Sequence, residues 1–136
     1  KEYAPIELPA TADFEVTSAL VKAATKLDEH YHTGIIHSKD SFYGQHNPAT
    51  MAVSYELENK WKAFIKCGVL ASEMETAALF TVSAVRNIRA GSILHAIWNQ
   101  ERRKSGDNSE NINTENAVLT AIEALKIIIA EDKMIN

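Results

Sequence analysis

Short apolar runs alternate with amphipathic stretches along this chain, and that alternation restricts the fold more than any other feature. Residues 14–27 and 113–131 carry apolar side chains at helical spacing. Residues 31–38, 69–72 and 90–98 are short apolar runs typical of buried strands. Helices that alternate with buried strands indicate a largely parallel sheet covered on both sides, so the sequence predicts an α/β fold.

The predicted order of elements also indicates where a ligand would bind. It is a strand or extended arm at 2–8, a helix at 14–27, a strand at 31–38, a loop at 39–53, a helix at 54–66, a strand at 69–72, a helix at 73–86, a strand at 90–98, a loop at 99–111 and a helix at 113–131. Ligands of open α/β sheets lie beyond the carboxyl ends of strands. The candidate positions are therefore the loop after Ser38, the turn at 72–75 and the loop after Trp98.

Composition excludes several classes of protein. The 136 residues are enough for one domain, 46% are hydrophobic, and the formal net charge of -4 gives no electrostatic reason to bind nucleic acid or an anionic membrane. The apolar runs are too short for a membrane span. The single cysteine, Cys67, fits a reducing compartment, so we expect a cytoplasmic protein without membrane or nucleic-acid partners.

The first candidate site is the acidic turn Glu73-Met74-Glu75, where a predicted strand becomes a helix. Side chains two residues apart at a strand end point the same way, and a carboxylate accepts two hydrogen bonds, which suits the diol of a ribose. Met74 offers an apolar surface to a sugar ring. The alternative is that the acids simply favour the positive end of a helix.

The second candidate site is the segment Phe42-Tyr43-Gly44-Gln45. The Gln45 amide presents a donor beside an acceptor, which complements the edge of uracil, and an aromatic ring can stack on the base. The amide can turn over, so Gln45 alone does not separate uracil from cytosine. The alternative is a surface loop whose aromatic side chains enter the core.

The third candidate site is Trp98 and Asn99 with the charged residues 100–103, for which a solvated charge run is the alternative. His30 and His32 have metal-like spacing, but no cysteine or acid cluster supports them, so we expect no metal site. The sequence also lacks a phosphate-binding P-loop and a dinucleotide fingerprint.

Taken together, these motifs resemble a known family. The segments Phe42–Gln45, Gly68–Val69, Glu73–Ala78 and Arg89–Gly91, in that order, look like the uridine phosphorylase branch of the nucleoside phosphorylase superfamily. The resemblance implies a three-layer α/β/α fold with a central mixed sheet. It also implies a pentosyltransferase that converts uridine to uracil and ribose 1-phosphate, with inorganic phosphate as co-substrate, no cofactor, and a homo-oligomer of dimers grouped into a hexamer.

The resemblance also implies roles for individual residues. Gln45 binds the uracil edge and Glu75 holds the ribose hydroxyls, so these two are the expected catalytic residues. Phe42 packs on the base, Met74 lies under the ribose, and Glu73 lies close by. The full set of expected substrate contacts is Phe42, Gln45, Glu73, Met74, Glu75, Trp98 and Asn99.

Two departures from the family pattern matter. Family members generally carry an Arg shortly after the Gln, whereas residues 46–50 contain none. The family's N-terminal half, which carries the phosphate loop and its arginines, has no counterpart here. We therefore expect residues 1–136 to be the C-terminal part of a single domain, to need that half as a partner, and to be inactive alone.

Two alternatives remain open from the sequence. One is a non-catalytic nucleoside-binding or storage protein of the same fold. The other is a purine nucleoside phosphorylase or a nucleosidase. Both of those enzymes usually have an Asp after the strand that ends near Asn99, and its absence here favours a pyrimidine substrate.

Overall fold

The computed structural model describes residues 3–135, which form two compact units. The first unit contains residues 3–11 and 32–88, and the second contains residues 12–31 and 89–135. The helices are α1 (Phe14–Lys26), α2 (Phe42–His46), α3 (Ser54–Lys66), α4 (Thr76–Val85), α5 (Gln100–Lys104) and α6 (Glu115–Ile135), and the strands are β1 (Ile36–Ser38) and β2 (Ala71–Glu73). The described chain is thus a mixed helix and strand structure.

A small parallel sheet organises the first unit. β1 pairs with β2, with Ile36 opposite Ala71 and Ser38 opposite Glu73. The ladder continues at its end, where the Lys39 N–H donates to the Glu73 carbonyl at 2.8 Å. The carboxyl ends of both strands therefore lie side by side, so the loop after Ser38 and the turn at 72–75 are neighbours.

The stretch 39–53 is not the loop that the sequence predicted. It contains α2 and a 3-10 helix over Pro48–Thr50. The Ser41 hydroxyl caps α2 by accepting from the Gly44 N–H at 3.1 Å, and a proline opens the 3-10 helix, where its missing N–H costs nothing. Both elements are too short to show a helical period in the sequence, which is why the prediction was wrong.

The helices α3 and α4 follow the predicted pattern with shifted ends. α3 occupies 54–66 as predicted, and Gly68 follows with a φ of 73°, the left-handed conformation expected at a helix end. α4 begins at Thr76, three residues later than predicted, because Glu73 still belongs to β2. Met74 and Glu75 therefore form a turn between the strand and the helix.

Packing of α1 against α6 forms the core of the second unit. Ala19, Ala23 and Ala124 are buried, with Leu20, Ile127 and Ile128 packed around them. Asp13 caps α1, and its Oδ1 accepts from the Val16 N–H at 2.9 Å. α6 has 21 residues, but no helix among residues 3–135 is long and apolar enough to cross a membrane.

Two predicted strands are absent from the described residues. Residues 90–98 form no ladder, because no described strand pairs with them. Their side chains Ile93, Leu94 and Ile97 are 36–43% exposed. In the predicted arm at 2–8, the Leu8 N–H donates to the Pro5 carbonyl in a turn, while Glu2 lies outside the described residues. The predicted loop 99–111 contains the short helix α5, whose cap is described below.

Candidate functional site

The carboxylate of Glu73 is held by four donors at the edge of the sheet. Its Oε1 accepts from the Ser38 hydroxyl and, at 2.8 Å, from the Thr76 hydroxyl. Its Oε2 accepts from the backbone N–H groups of Glu75 at 2.6 Å and Thr76 at 2.7 Å. We call Ser38, Glu73 and Thr76 the Glu73 clasp. Both oxygens of Glu73 are thus engaged within the protein.

The Glu73 clasp fixes where α4 begins. The Ser38 oxygen also accepts from the Ala77 N–H at 3.0 Å, so three consecutive N–H groups, those of residues 75–77, are satisfied by two side chains. Burial alone would raise the pKa of the Glu73 carboxyl. The hydrogen bonds from Ser38, Glu75 and Thr76 outweigh burial and lower the pKa to about 2. Glu73 is therefore a carboxylate throughout the physiological range.

Met74 and Glu75 are the accessible part of the turn. Met74 is 40% exposed, and Glu75 is exposed, with its Oε2 accepting from the Met74 N–H at 3.1 Å. An exposed carboxylate can accept hydrogen bonds from hydroxyl groups, and the thioether beside it can pack against an apolar surface of the same ligand. The two neighbouring acids therefore differ, because the Glu73 carboxylate is hydrogen-bonded within the protein and Glu75 is exposed to solvent.

The α2 helix presents the aromatic side chain of the second candidate site. Phe42 is 42% exposed and lies edge-on to Tyr43, with ring centroids 5.5 Å apart. The His46 ring lies 4.2 Å from the Phe42 ring on the same helix. The Oε1 atom of Gln45 is buried. A short helix capped by Ser41 thus orients the ring and the amide that the sequence predicted for a base.

Lys39 connects the two candidate sites, and the sequence interpretation missed it. Its side chain is buried at 9% exposure, with Nζ 3.3 Å from the Ser72 hydroxyl and 5.8 Å from the centroid of the Phe42 ring. Burial lowers the pKa of Lys39, while Glu73 and Glu75 act to raise it. Its position in the sequence could have identified it, because Lys39 directly follows a predicted strand, where ligand-contacting residues are expected.

Trp98 and Asn99 belong to the second unit. The Oδ1 atom of Asn99 accepts from the N–H groups of Glu101 and Arg102, each at 3.0 Å, and so caps α5. The Arg103 guanidinium lies 4.8 Å from the Trp98 ring centroid and pairs with Glu110. The charged run after Asn99 is thus partly a capped helix.

Within residues 3–135, no group of three or more His, Cys, Asp or Glu side chains is arranged to hold a metal ion. A cavity of about 160 Å³ lies in the second unit, and none of the predicted site residues lines it. Its cations are paired with acids, Lys22 with Glu131 and Arg89 with Glu15 and Asp132.

The acidic turn lies at the carboxyl edge of a parallel sheet, the position at which ligands of open α/β sheets bind. The chain belongs to the phosphorylase superfamily, whose family model matches residues 1–131. This finding confirms the resemblance drawn from the sequence motifs.

Individual relatives agree with this assignment. The chain is 50% identical over 133 residues to a uridine phosphorylase of Treponema pallidum, covering 97% of the chain and 52% of that protein. It is 36% identical to a uridine phosphorylase of Thermococcus kodakarensis, covering 98% and 47%, and 30% identical to a guanosine phosphorylase of Halorubrum lacusprofundi, covering 92% and 51%. The chain thus spans about half the length of the curated relatives it matches.

Proposed function

We propose that the protein is a uridine phosphorylase, a pentosyltransferase that cleaves uridine with inorganic phosphate to uracil and ribose 1-phosphate. This chain would supply the base and ribose contacts. The observation that carries the proposal lies within one unit. The Lys39 ammonium contacts both the Phe42 ring and Ser72, the residue before the acidic turn. The similarity to proteins named uridine phosphorylase over nearly the whole chain supports the same activity.

The ribose side of the proposed site is Met74 and Glu75. Cleavage of the glycosidic bond builds positive charge on the sugar, and a carboxylate that holds the hydroxyls stabilises this charge. Glu75 is exposed and can accept the diol, with Met74 beneath the ring. Glu73 lies next to the sugar in this proposal and sets the turn through its own hydrogen bonds.

The base side of the proposed site is Phe42 and Gln45, both in the first unit. The half-exposed Phe42 ring offers a stacking surface, worth about 1 kcal/mol beyond its buried area. The Gln45 amide, whose Oε1 atom is buried without substrate, would turn to present a donor and an acceptor to the uracil edge. Fixed donors aimed at the base carbonyls stabilise the negative charge of the leaving group.

We place the phosphate contacts outside these 136 residues. The two-stranded sheet is smaller than the three or more strands that independent stability requires, and large apolar side chains such as Ile35 and Leu70 are exposed beside it. We propose that further strands complete a three-layer α/β/α domain with a central mixed sheet, of which residues 1–136 are the C-terminal part. The active form would be a cytoplasmic homo-oligomer of dimers that needs phosphate and no cofactor.

Direct turnover by the full-length protein tests this function. Uridine, inosine and methylthioadenosine would each be incubated with and without phosphate, and the released base and sugar phosphate measured. The expected result is phosphate-dependent release of uracil and ribose 1-phosphate from uridine. Purine release, phosphate-independent release, or uridine binding without turnover would each contradict it. The 136-residue chain alone should show no phosphorolysis.

A further inference from the structure

Lys39 is a buried cation with unused hydrogen-bonding capacity. Its ammonium has three N–H donors, and within the described residues it makes one side-chain hydrogen bond, to the Ser72 hydroxyl at 3.3 Å. The residue is only 9% exposed, so solvent reaches it poorly. Burial of an ammonium is costly unless it is paired and hydrogen-bonded, so a lysine in this state is suited to an incoming acceptor.

The nearby carboxylates do not satisfy this cation. None of the ion pairs among the described residues involves Lys39, although Glu73 and Glu75 are close enough to act on its charge. Glu73 cannot turn towards Lys39 without breaking the Glu73 clasp, because both of its oxygens already accept two hydrogen bonds each. The ammonium is therefore held near the site by electrostatics and left with donors to offer.

The position of Lys39 indicates the part of a nucleoside that it would meet. Its Nζ lies over the Phe42 ring, 5.8 Å from the centroid, in a cation–π contact with the proposed stacking surface for the base. Stacked rings have centroids about 4.5–7 Å apart. The edge of a base packed on Phe42 would thus come within hydrogen-bonding reach of a flexible lysine. Pyrimidine carbonyl oxygens at that edge are acceptors.

We infer that Lys39 is a further substrate-contacting catalytic residue, which donates to a carbonyl oxygen of the pyrimidine and stabilises it as a leaving group. The inference rests on the proposed phosphorolysis. In that reaction the electron pair of the C1′–N1 bond passes to the base, a phosphate oxygen bonds to C1′, and the proton of hydrogen phosphate ends on uracil. A cation beside the base lowers the barrier because negative charge develops there. Lys39 would thereby replace the arginine that residues 46–50 lack.

The test compares Lys39→Met with a matched loss of charge elsewhere in the same unit. Lys62→Met serves as the control, since Lys62 is an exposed residue of α3. Both variants of the full-length protein would be assayed with uridine and with 5-fluorouridine, whose more acidic base leaves more readily. Thermal unfolding of each variant would be followed in parallel.

Lys39→Met should lower kcat/KM for uridine roughly 10- to 100-fold, the range for a lost hydrogen bond from a charged donor. The loss for 5-fluorouridine should be several-fold smaller, because a better leaving group needs less stabilisation. Lys39→Arg should recover most of the activity, and Lys62→Met should match the wild type. Equal losses on both substrates, or a change confined to the KM for phosphate, would overturn the inference.

Two further outcomes are separable. If the wild-type protein never releases uracil from uridine, the proposed function is refuted. If the wild type is active, the Lys39 variants test the inference alone. If Lys39→Met does not fold, Lys39→Gln takes its place, since it keeps a donor of similar length without the charge. The same ratio of losses on uridine and 5-fluorouridine then decides the inference.

Discussion

Ser38 and Glu73 meet as register partners at the carboxyl ends of β1 and β2, and the Ser38 hydroxyl donates to the Glu73 carboxylate. The same hydroxyl accepts from the Ala77 N–H at 3.0 Å, and Glu73 accepts from the two preceding N–H groups. The edge of the sheet and the start of α4 are therefore joined through two side chains. Glu75 lies within the turn that they define.

Ser38→Ala tests the Glu73 clasp. The change removes a donor to Glu73 and the acceptor of the Ala77 N–H, so the free energy of unfolding should fall by about 1–3 kcal/mol. Urea denaturation measures the change. Ser54→Ala is the matched control, because Ser54 opens α3 without a capping side-chain hydrogen bond, and its effect should stay within about 0.5 kcal/mol. Equal effects at both positions would contradict the clasp.

Acid should weaken the protein partly through Glu73. Its pKa is about 2 in the folded state against an ordinary value of 4.5. Between these values the unfolded state binds a proton that the folded state does not, so stability falls as the pH falls. The contribution is fully present above pH 4.5 and disappears as the pH passes through 2. It is on the order of 2 kcal/mol, reduced by partial exposure.

Glu73→Gln isolates this contribution from the other acids. The carboxyls of Asp107, Glu123 and Asp132 also have lowered pKa values, so the wild type alone does not identify Glu73. The unfolding free energies of the wild type and the variant, measured at pH 6 and pH 3, show how much stability each protein loses on acidification. The glutamine variant should lose less stability between these pH values than the wild type. Parallel losses would show that Glu73 does not titrate abnormally.

The sequence predicted this region well where patterns were long and poorly where they were short. Helical spacing located α1, α3 and α6, and the rule about carboxyl ends of strands brought Ser38 close to the acidic turn. Neither pattern predicts that Glu73 is engaged and Glu75 is exposed, because this difference depends on the Ser38 donor from the other strand and on the conformation of the turn. Lys39 was missed for the same reason, since its importance comes from burial against Ser72.

Residues 90–98 illustrate a second limit. Their composition favours a buried strand, yet a strand exists only when a neighbour pairs with it, and no described strand does so. The composition of residues 90–98 therefore permits a strand, but among residues 3–135 they lack a pairing partner and form none. The short helices α2 and α5 show the reverse. The Ser41 and Asn99 caps begin helices where the lack of a helical period at 39–53 and the polarity of 99–111 suggested loops.

Glu75→Gln should impair uridine turnover more than deoxyuridine turnover. The exposed carboxylate is proposed to accept the two ribose hydroxyls, and the glutamine amide accepts through one oxygen only. Loss of a hydrogen bond to a charged group corresponds to about a 10- to 100-fold fall in kcat/KM for uridine. The fall for 2′-deoxyuridine should be smaller, since that substrate lacks one of the hydroxyls.

The matched control for this prediction is Glu58→Gln, an identical change at an exposed position of α3 in the same unit. It should leave both substrates unaffected. Steady-state kinetics of the full-length protein provide the comparison. Identical losses on uridine and deoxyuridine would place Glu75 away from the 2′-hydroxyl.

Close packing around Gly91 gives the last prediction, in the second unit. A Cβ atom at this position would lie 2.5 Å from Val16 Cγ1 and 3.2 Å from Val16 Cβ, distances that require the α1 side chain to move. Overpacking of this kind costs about 1–3 kcal/mol, so Gly91→Ala should lower the unfolding free energy by that amount. Val16→Ala removes the clashing methyl groups. In a double-mutant cycle, Gly91→Ala should therefore cost much less in the Val16→Ala background, because the closest contact, with Val16 Cγ1, is then absent. An equal cost in both backgrounds would mean that the backbone at Gly91, and not its contact with α1, requires glycine.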